Sequence, residues 1–338
     1  MENLLFLAFT EADGSLAKPA LEALAAAKSI PGTTLTVGLI GETTQAAANQ
    51  VASCGAAKFL AVQGAEFAQA RYSTDAAAAE ALAKAAQASL VVASATSRAN
   101  RVLPGVSQRL GGRIDTHVSG VSTPDGKLSI SRWYYRQRME GIVQRTARPW
   151  VILIDPGSQA PWQGAAGTAT VEAVTPAVTD ALKRTTVLNI RTPAADAQTI
   201  RPEASLLFVT GAGWTKKQAD GQPHVKEAAE IILGFLHKTR ASLGSTKSLV
   251  DLSGEGQAIL PFLTHLNQVG QTGSTPRHPK GLSTCCHGEE PHTVGWRFIN
   301  ERRAISLDPN CGWARGKADV LYVADAFAVM KKVNELIR

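Results

Sequence analysis

Short apolar runs alternate with alanine-rich stretches through the first half of the chain. Leu4–Phe9, Thr34–Ile40, Lys58–Val62 and Ser89–Ala93 are compact runs of apolar and β-branched residues, and each reads as a strand. Helical stretches fall between them. Lys18–Lys28 tolerates Pro19 in its first turn, Gln45–Cys54 has Gly55 placed to end it, and Thr74–Ala88 has Ser73 or Thr74 as its cap. Strands that are apolar throughout, separated by helices, predict a mostly parallel sheet covered on both faces. Leu103–Leu110, with Pro104 near its start, reads as one more helix. The rhythm then changes: Thr116–Ser122, Lys127–Tyr135, Gly141–Arg148 and Val151–Asp155 read as shorter strands, some of them antiparallel.

Pro156–Ala181 is rich in Gly, Ala, Pro and Thr and has little helical period, so it reads as an extended segment leading out of a first domain. A second α/β unit follows. Ser205–Thr210 reads as a strand ending in Gly211-Ala212-Gly213, and Val225–Arg240 as a helix with Ile231, Ile232, Phe235 and Leu236 on one side. Ser248–Leu252, Val294–Ile299, Ala304–Leu307 and Val320–Ala324 are further strand candidates, and Ala326–Ile337 a closing helix. The pattern predicts an α/β protein of two domains, 1–199 and 200–338, each a mostly parallel sheet flanked by helices, the second doubly wound. A length of 338 residues agrees with two domains.

Composition adds little to the fold but limits the function. A formal net charge of +7 gives a basic surface, of the kind that meets nucleic acid, anionic membranes or acidic proteins. The basic residues are scattered, except where Arg132, Arg136, Arg138, Arg145 and Arg148 surround Trp133, Tyr134 and Tyr135. That stretch reads as solvated strands with a partner-docking role in preference to a nucleic-acid surface. Cys54, Cys285, Cys286 and Cys311 are too few for a disulfide framework, which suits a reducing compartment. The first apolar run is too short for a signal peptide, and no run reaches the length of a membrane span. A cytoplasmic protein is expected.

Candidate chemistry is sparse. Gly211-Ala212-Gly213 follows a strand, where glycines let backbone approach a phosphate; it also reads as a plain turn. Val269-Gly270-Gln271-Thr272-Gly273 offers two glycines with an amide and a hydroxyl between them, which suits a flavin as well as a turn. Cys285, Cys286 and His287, with His292 and Cys311, match no standard zinc spacing. Ala93–Arg98 after a strand reads either as a nucleotide cradle or as a capped turn opening a helix. No Walker lysine motif, catalytic triad or paired-carboxylate constellation stands out.

Taken together in order, these segments resemble electron transfer flavoprotein alpha subunits over almost the whole chain. VGQTG (Val269–Gly273) is similar to the family's flavin-ring motif, and Val91–Val121 resembles a segment of its first domain. VTGAGW (Val209–Trp214) stands where the family has SGGRG, and GSTKSLVD (Gly244–Asp251) where it has GASRAAVD. GLSTCCHG (Gly281–Gly288) stands at GISGAIQH, AISLDPNCGW (Ala304–Trp313) at AINKDPEAPI, and ADVLYVAD (Ala318–Asp325) at ADYGLVGD.

The resemblance implies FAD held mainly by the second domain and a heterodimer with a beta subunit. It also implies electron flow from a flavin-dependent dehydrogenase to an acceptor, often a membrane quinone oxidoreductase. The residues it implies for the cofactor are Gly211, Gly213, Thr246, Lys247, Gly270, Gln271, Thr272, Gly273, Ser283, His287, Ser306 and Asp325. Several differ from the family pattern. Gly213 stands for an arginine, Thr246 and Lys247 for a serine–arginine pair, and Ser306 and Leu307 for an asparagine–lysine pair. Gly288 falls where the family histidine is expected, with His287 one residue early. Lysine keeps the charge of arginine but not its planar fork. The departures leave open a scaffolding subunit that has lost its flavin. Cys285, Cys286 and His287 leave open a flavin oxidoreductase with its own substrate.

Overall fold

The computed structural model describes residues 2–134, 139–190, 200–201, 204–251, 258–269, 278–284, 299–311 and 318–337. The chain divides into two compact units, Met1–Arg191 and Thr192–Arg338.

The first unit runs β1 (Glu2–Phe9), α1 (Lys18–Lys28), β2 (Thr33–Gly41), α2 (Gln45–Gln50), β3 (Lys58–Gln63), α3 (Tyr72–Ala85), β4 (Leu90–Ser94) and α4 (Ser97–Arg109). It continues through β5 (Arg113–Ser122), β6 (Ser129–Tyr134), β7 (Met139–Val143), β8 (Trp150–Ile154) and β9 (Val171–Ala173). All nine strands form one sheet in the order β7-β6-β5-β8-β4-β1-β2-β3-β9. Every pairing is parallel except those β6 makes with β5 and β7. Alternation along β1 sends Leu4, Phe6 and Ala8 to one face, with Ala23, Leu24 and Ala27 of α1. Leu5 and Leu7 go to the other, with Ala76, Ala79 and Leu82 of α3 and Val102 and Leu103 of α4. Alanine-rich helix faces let the helices lie close on a sheet that is apolar on both sides. This is why so few large side chains suffice.

Local chemistry moved several expected boundaries. Neither Ser73 nor Thr74 caps α3: the helix starts at Tyr72, and the Thr74 hydroxyl donates back to the Arg71 carbonyl inside the first turn. The helix expected at Leu103–Leu110 begins at Ser97, where the Thr96 hydroxyl accepts from the Ala99 N–H at 3.3 Å, so Pro104 lies inside it. The polar run Ser97-Arg98 and Asn100-Arg101 hid that first turn, because the buried side chains begin with Ala99 and Val102. Gln45–Cys54 is helical only to Gln50 and ends as a 3₁₀ turn, closed by Gly55 at φ 82°. The exit segment is not merely extended: β9 adds to β3, and Trp162 and Gly167 donate backbone N–H groups to Leu21 and Asn49.

The second unit comprises β10 (Leu206–Thr210), α5 (Val225–Thr239), β11 (Ser242–Ser245), α6 (Lys247–Asp251), β12 (Lys280–Thr284), β13 (Glu301–Ser306), β14 (Val320–Val323) and α7 (Ala326–Leu336). Its five strands are all parallel, in the order β11-β10-β12-β13-β14. Phe208, Leu243 and Ile305 pack under α5 and α7, while Leu207, Val209 and Ala304 pack with Val269, Ile299 and Cys311 on the other face. The strand expected at Ser248–Leu252 lies earlier, at Ser242–Ser245, and Lys247–Asp251 is a short helix. Ser-Leu-Gly-Ser carries one large apolar residue, too little signal to mark a strand. β12 was missed for the same reason. Residues 294–298 of another expected strand lie outside the described residues. Among the described residues, no helix is long and apolar enough to cross a membrane.

Candidate functional site

In a parallel sheet all strands end at one edge, and ligands gather outside that edge where the strand order reverses. In the second unit the reversal is at β10: the chain steps out to β11 and then crosses back to β12 on the opposite side. The described residues singled out by resemblance all fall at this edge. Gly211 and Gly213 follow β10, Thr246 and Lys247 follow β11, Ser283 is next to last in β12, Ser306 ends β13, and Asp325 follows β14. Gly270, Gln271, Thr272, Gly273 and His287 lie outside the described residues, as do Cys285 and Cys286. Val269, immediately before that glycine-rich stretch, is buried and donates its N–H to the Ser245 carbonyl at 3.1 Å.

The edge is held from below by hydrogen bonds between strand ends. Gly211 donates its N–H to the Thr284 carbonyl at 2.9 Å, and Thr246 donates its own to Thr210 at 2.9 Å. The Thr210 hydroxyl donates to the Gly244 carbonyl at 3.1 Å. Trp214 is fully buried, donates its indole N–H to the Thr284 hydroxyl at 2.8 Å and packs on Phe327 with 4.6 Å between ring centroids. That anchor fixes the turn carrying Gly211 and Gly213. The Gly213 carbonyl accepts from the Gln218 amide at 3.0 Å, inside a loop closed by its own side chains. Thr246 accepts the Leu249 N–H at 3.4 Å and Ser306 the Asp308 N–H at 3.2 Å. Asp325 accepts the N–H groups of Phe327 and Ala328, so its carboxylate caps α7.

Thr210, Ser245, Thr246, Ser283, Thr284 and Ser306 are all buried, and their hydroxyls line the ends of four strands. Lys247, half-buried, adds an ammonium. The Thr210 and Thr284 hydroxyls donate to the Gly244 and Val209 carbonyls and brace the strand ends. The Ser245, Thr246, Ser283 and Ser306 hydroxyls and the Lys247 ammonium are groups chemically matched to a ligand rich in acceptor oxygens, such as a pyrophosphate or a ring bearing carbonyls. Thr210, Ser245 and Thr284 were not singled out from sequence. The available signal was position: each ends a strand beside, or within two residues of, a residue that was.

The first unit has its own reversal, between β1 and β4, and a cavity of about 320 Å³ lies there against Phe9, Pro19, Ser94, Thr96 and Arg98. Of the two readings of Ala93–Arg98, the capped turn is what forms, with Thr96 as the cap. Arg98 is bound to both oxygens of the buried Asp75, at 2.8 and 2.7 Å, and lies over the Phe9 ring. Its charge is committed to holding α3 against α4.

The basic cluster is also internally paired. Arg132 and Arg145 both donate to the fully buried Asp115, which also accepts the Trp150 indole N–H at 2.9 Å, and Arg148 pairs with Glu2. Burial works against the Asp115 charge, but the bonds from Arg145, Trp150 and Arg132 outweigh it and hold its carboxyl below the usual range. Charges consumed in this way leave little free basic surface on the described part of the β6–β7 hairpin. Two large apolar side chains are exposed on it, Ile142 at 67% and Met139 at 49%, beside the exposed Glu140. Tyr135, Arg136 and Arg138 lie outside the described residues.

Residues 5–180 match the family model described as electron transfer flavoprotein domain, a match that lies in the first unit and covers just over half of the chain. No curated protein matches the chain. On the extent of the family match, and with the α/β architecture just described, this chain belongs to the electron transfer flavoprotein family.

Proposed function

We propose that this chain is the alpha subunit of an electron transfer flavoprotein. In this reading it holds FAD at the carboxyl edge of the second sheet, in a domain taken as 200–338, and pairs with a beta subunit. The heterodimer carries electrons from a flavin-dependent dehydrogenase to a respiratory or quinone-linked acceptor. The observation that carries the reading is convergence: seven residues, scattered from Gly211 to Asp325 and named from sequence alone, meet at the carboxyl ends of five parallel strands.

FAD, when bound, supplies the one- and two-electron chemistry. The work of this chain is to bind and orient it. The turn after β10, pinned by Trp214, offers glycine backbone for close approach. The buried Thr246, Ser283 and Ser306 bring hydroxyls to the same edge at the ends of three strands, and the Lys247 ammonium favours negative charge on the ligand. The donor set at this edge fits such a group. The exposed Ile142 and Met139 of the β6–β7 hairpin suit a protein partner better than a nucleic acid.

The test is an absorption spectrum of the chain purified with its beta subunit, followed by denaturation and identification of any released flavin. A yellow complex that releases FAD supports the proposal. A colourless complex that also fails to take up added FAD overturns it. The scaffolding reading, motivated by Gly213 and Ser306 where the family has arginine and asparagine, would then stand.

A further inference from the structure

The carboxyl end of β11 holds two polar groups that the fold itself leaves without partners. Ser245 is 0% and Gln268 4% exposed. Neither the Ser245 hydroxyl nor the Gln268 amide nitrogen has a hydrogen-bond partner among the described residues. A buried donor left unsatisfied forfeits its hydration with nothing in return, so two such donors together are rare without a reason.

Their placement supplies one. Ser245 and Gln268 pair across an isolated parallel bridge, and paired residues of a parallel bridge send their side chains to the same face. Three backbone N–H groups around them are committed within the fold. The Val269 N–H goes to the Ser245 carbonyl, the Gln268 N–H to the His265 carbonyl and the Thr246 N–H to the Thr210 carbonyl. The Asn267 amide goes to the Leu243 carbonyl, which fixes the loop that carries Gln268. A hydroxyl and an amide –NH₂ thus face the same side of one bridge, at the edge where Thr246 and Lys247 emerge.

We propose that Ser245 and Gln268 form a two-donor seat for one acceptor oxygen of the bound flavin nucleotide. The proposal rests on the FAD reading above and adds to it two residues that the family resemblance did not single out. A hydroxyl and an amide donor that find no oxygen within the protein are satisfied together by a single carbonyl or phosphate oxygen placed between them. The same seat explains why the apoprotein tolerates the two orphans: their cost is recovered on binding, which makes flavin loading and stability rise together.

The experiment uses the full chain and its Ser245→Ala, Gln268→Met and Gln268→Glu variants. Binding of FAD and of riboflavin is measured by flavin fluorescence, and thermal midpoints are measured with and without FAD. Removing either donor should weaken FAD binding about five- to tenfold. Gln268→Glu, which puts an acceptor where the donor was, should weaken it further than Gln268→Met. Without flavin, Ser245→Ala should melt no lower than the native chain, because it deletes an unpaired buried hydroxyl. Equal losses for FAD and riboflavin place the seat at the ring or ribityl chain, and a loss confined to FAD places it at the pyrophosphate; both support the proposal. If the variants bind FAD as tightly as the native chain, the seat is refuted. If Ser245→Ala lowers the flavin-free midpoint, the pair holds a structural water, which refutes it equally. If the native chain binds no FAD, the underlying reading falls instead, a result separable from either.

Discussion

Asp115→Ala tests how the antiparallel extension of the first sheet is held. The Asp115 side chain is 0% exposed and receives hydrogen bonds from Arg132, Arg145 and the Trp150 indole. Removing one member of a buried ion network costs about 3–5 kcal/mol, most of it from the charges left behind. Here the two guanidinium groups are 19% and 33% exposed and can rehydrate in part, which favours the low end. Trp150 cannot: it is fully buried, and its orphaned N–H alone costs about 1–3 kcal/mol. A loss of about 3 kcal/mol is expected, or a midpoint lower by about 6–12 °C for a unit of this size. The assay is thermal unfolding followed by near-ultraviolet circular dichroism, which reports the packing of Trp150. Asp115→Asn keeps an acceptor for the indole and should lose less. The acid limb has a definite sign. The folded carboxyl titrates below its usual range, so its contribution is present above the unfolded value and is lost as pH falls through the folded one. The gap between native and Ala midpoints should therefore close towards strongly acidic pH. A variant that melts within about 2 °C of the native protein at neutral pH would refute the reasoning, since the network would then contribute nothing net.

Three further outcomes follow from the same geometry. Lys247→Ala, assayed by redox titration of the flavin-loaded protein, should retain FAD but lower its reduction potential; an unchanged potential removes Lys247 from the ring's surroundings. Asp325→Ala should cost about 0.5–2 kcal/mol through loss of the α7 cap, whereas Asp325→Asn should keep most of that stability. If Asp325→Asn nevertheless weakens FAD binding, the carboxylate contributes to the ligand as well as to the helix. Asp75→Ala strands Arg98 between α3 and α4 and should lower the thermal midpoint of the first unit by several degrees without altering the flavin spectrum.

What the sequence determined by itself was the rhythm. β1, β2, β3, β4 and β8 are apolar enough on both faces to be read directly, and α1, α5 and α7 show their buried stripes plainly. Those signals are local, arising from residues one, two, three or four positions apart. The order of the glycine- and serine-bearing segments likewise carried the family resemblance without any coordinates. Short strands built from small or polar residues gave no such signal. Ser242–Ser245 and Lys280–Thr284 are strands because β10 lies between them and satisfies their backbones, not because of their side chains. The start of α4 depended on one hydroxyl, that of Thr96, against a run of arginine and asparagine. Only the tertiary structure could decide which charges are free. Arg98 reads as part of a cradle or a capped turn, and Arg132 and Arg145 as residues of solvated strands, yet Asp75, 23 positions from Arg98, and Asp115, 17 and 30 positions from the other two, bind all three. The same holds for the candidate site. Gly211 and Asp325 become neighbours of one edge because parallel strands must all point the same way, a constraint of the sheet that no stretch of sequence contains.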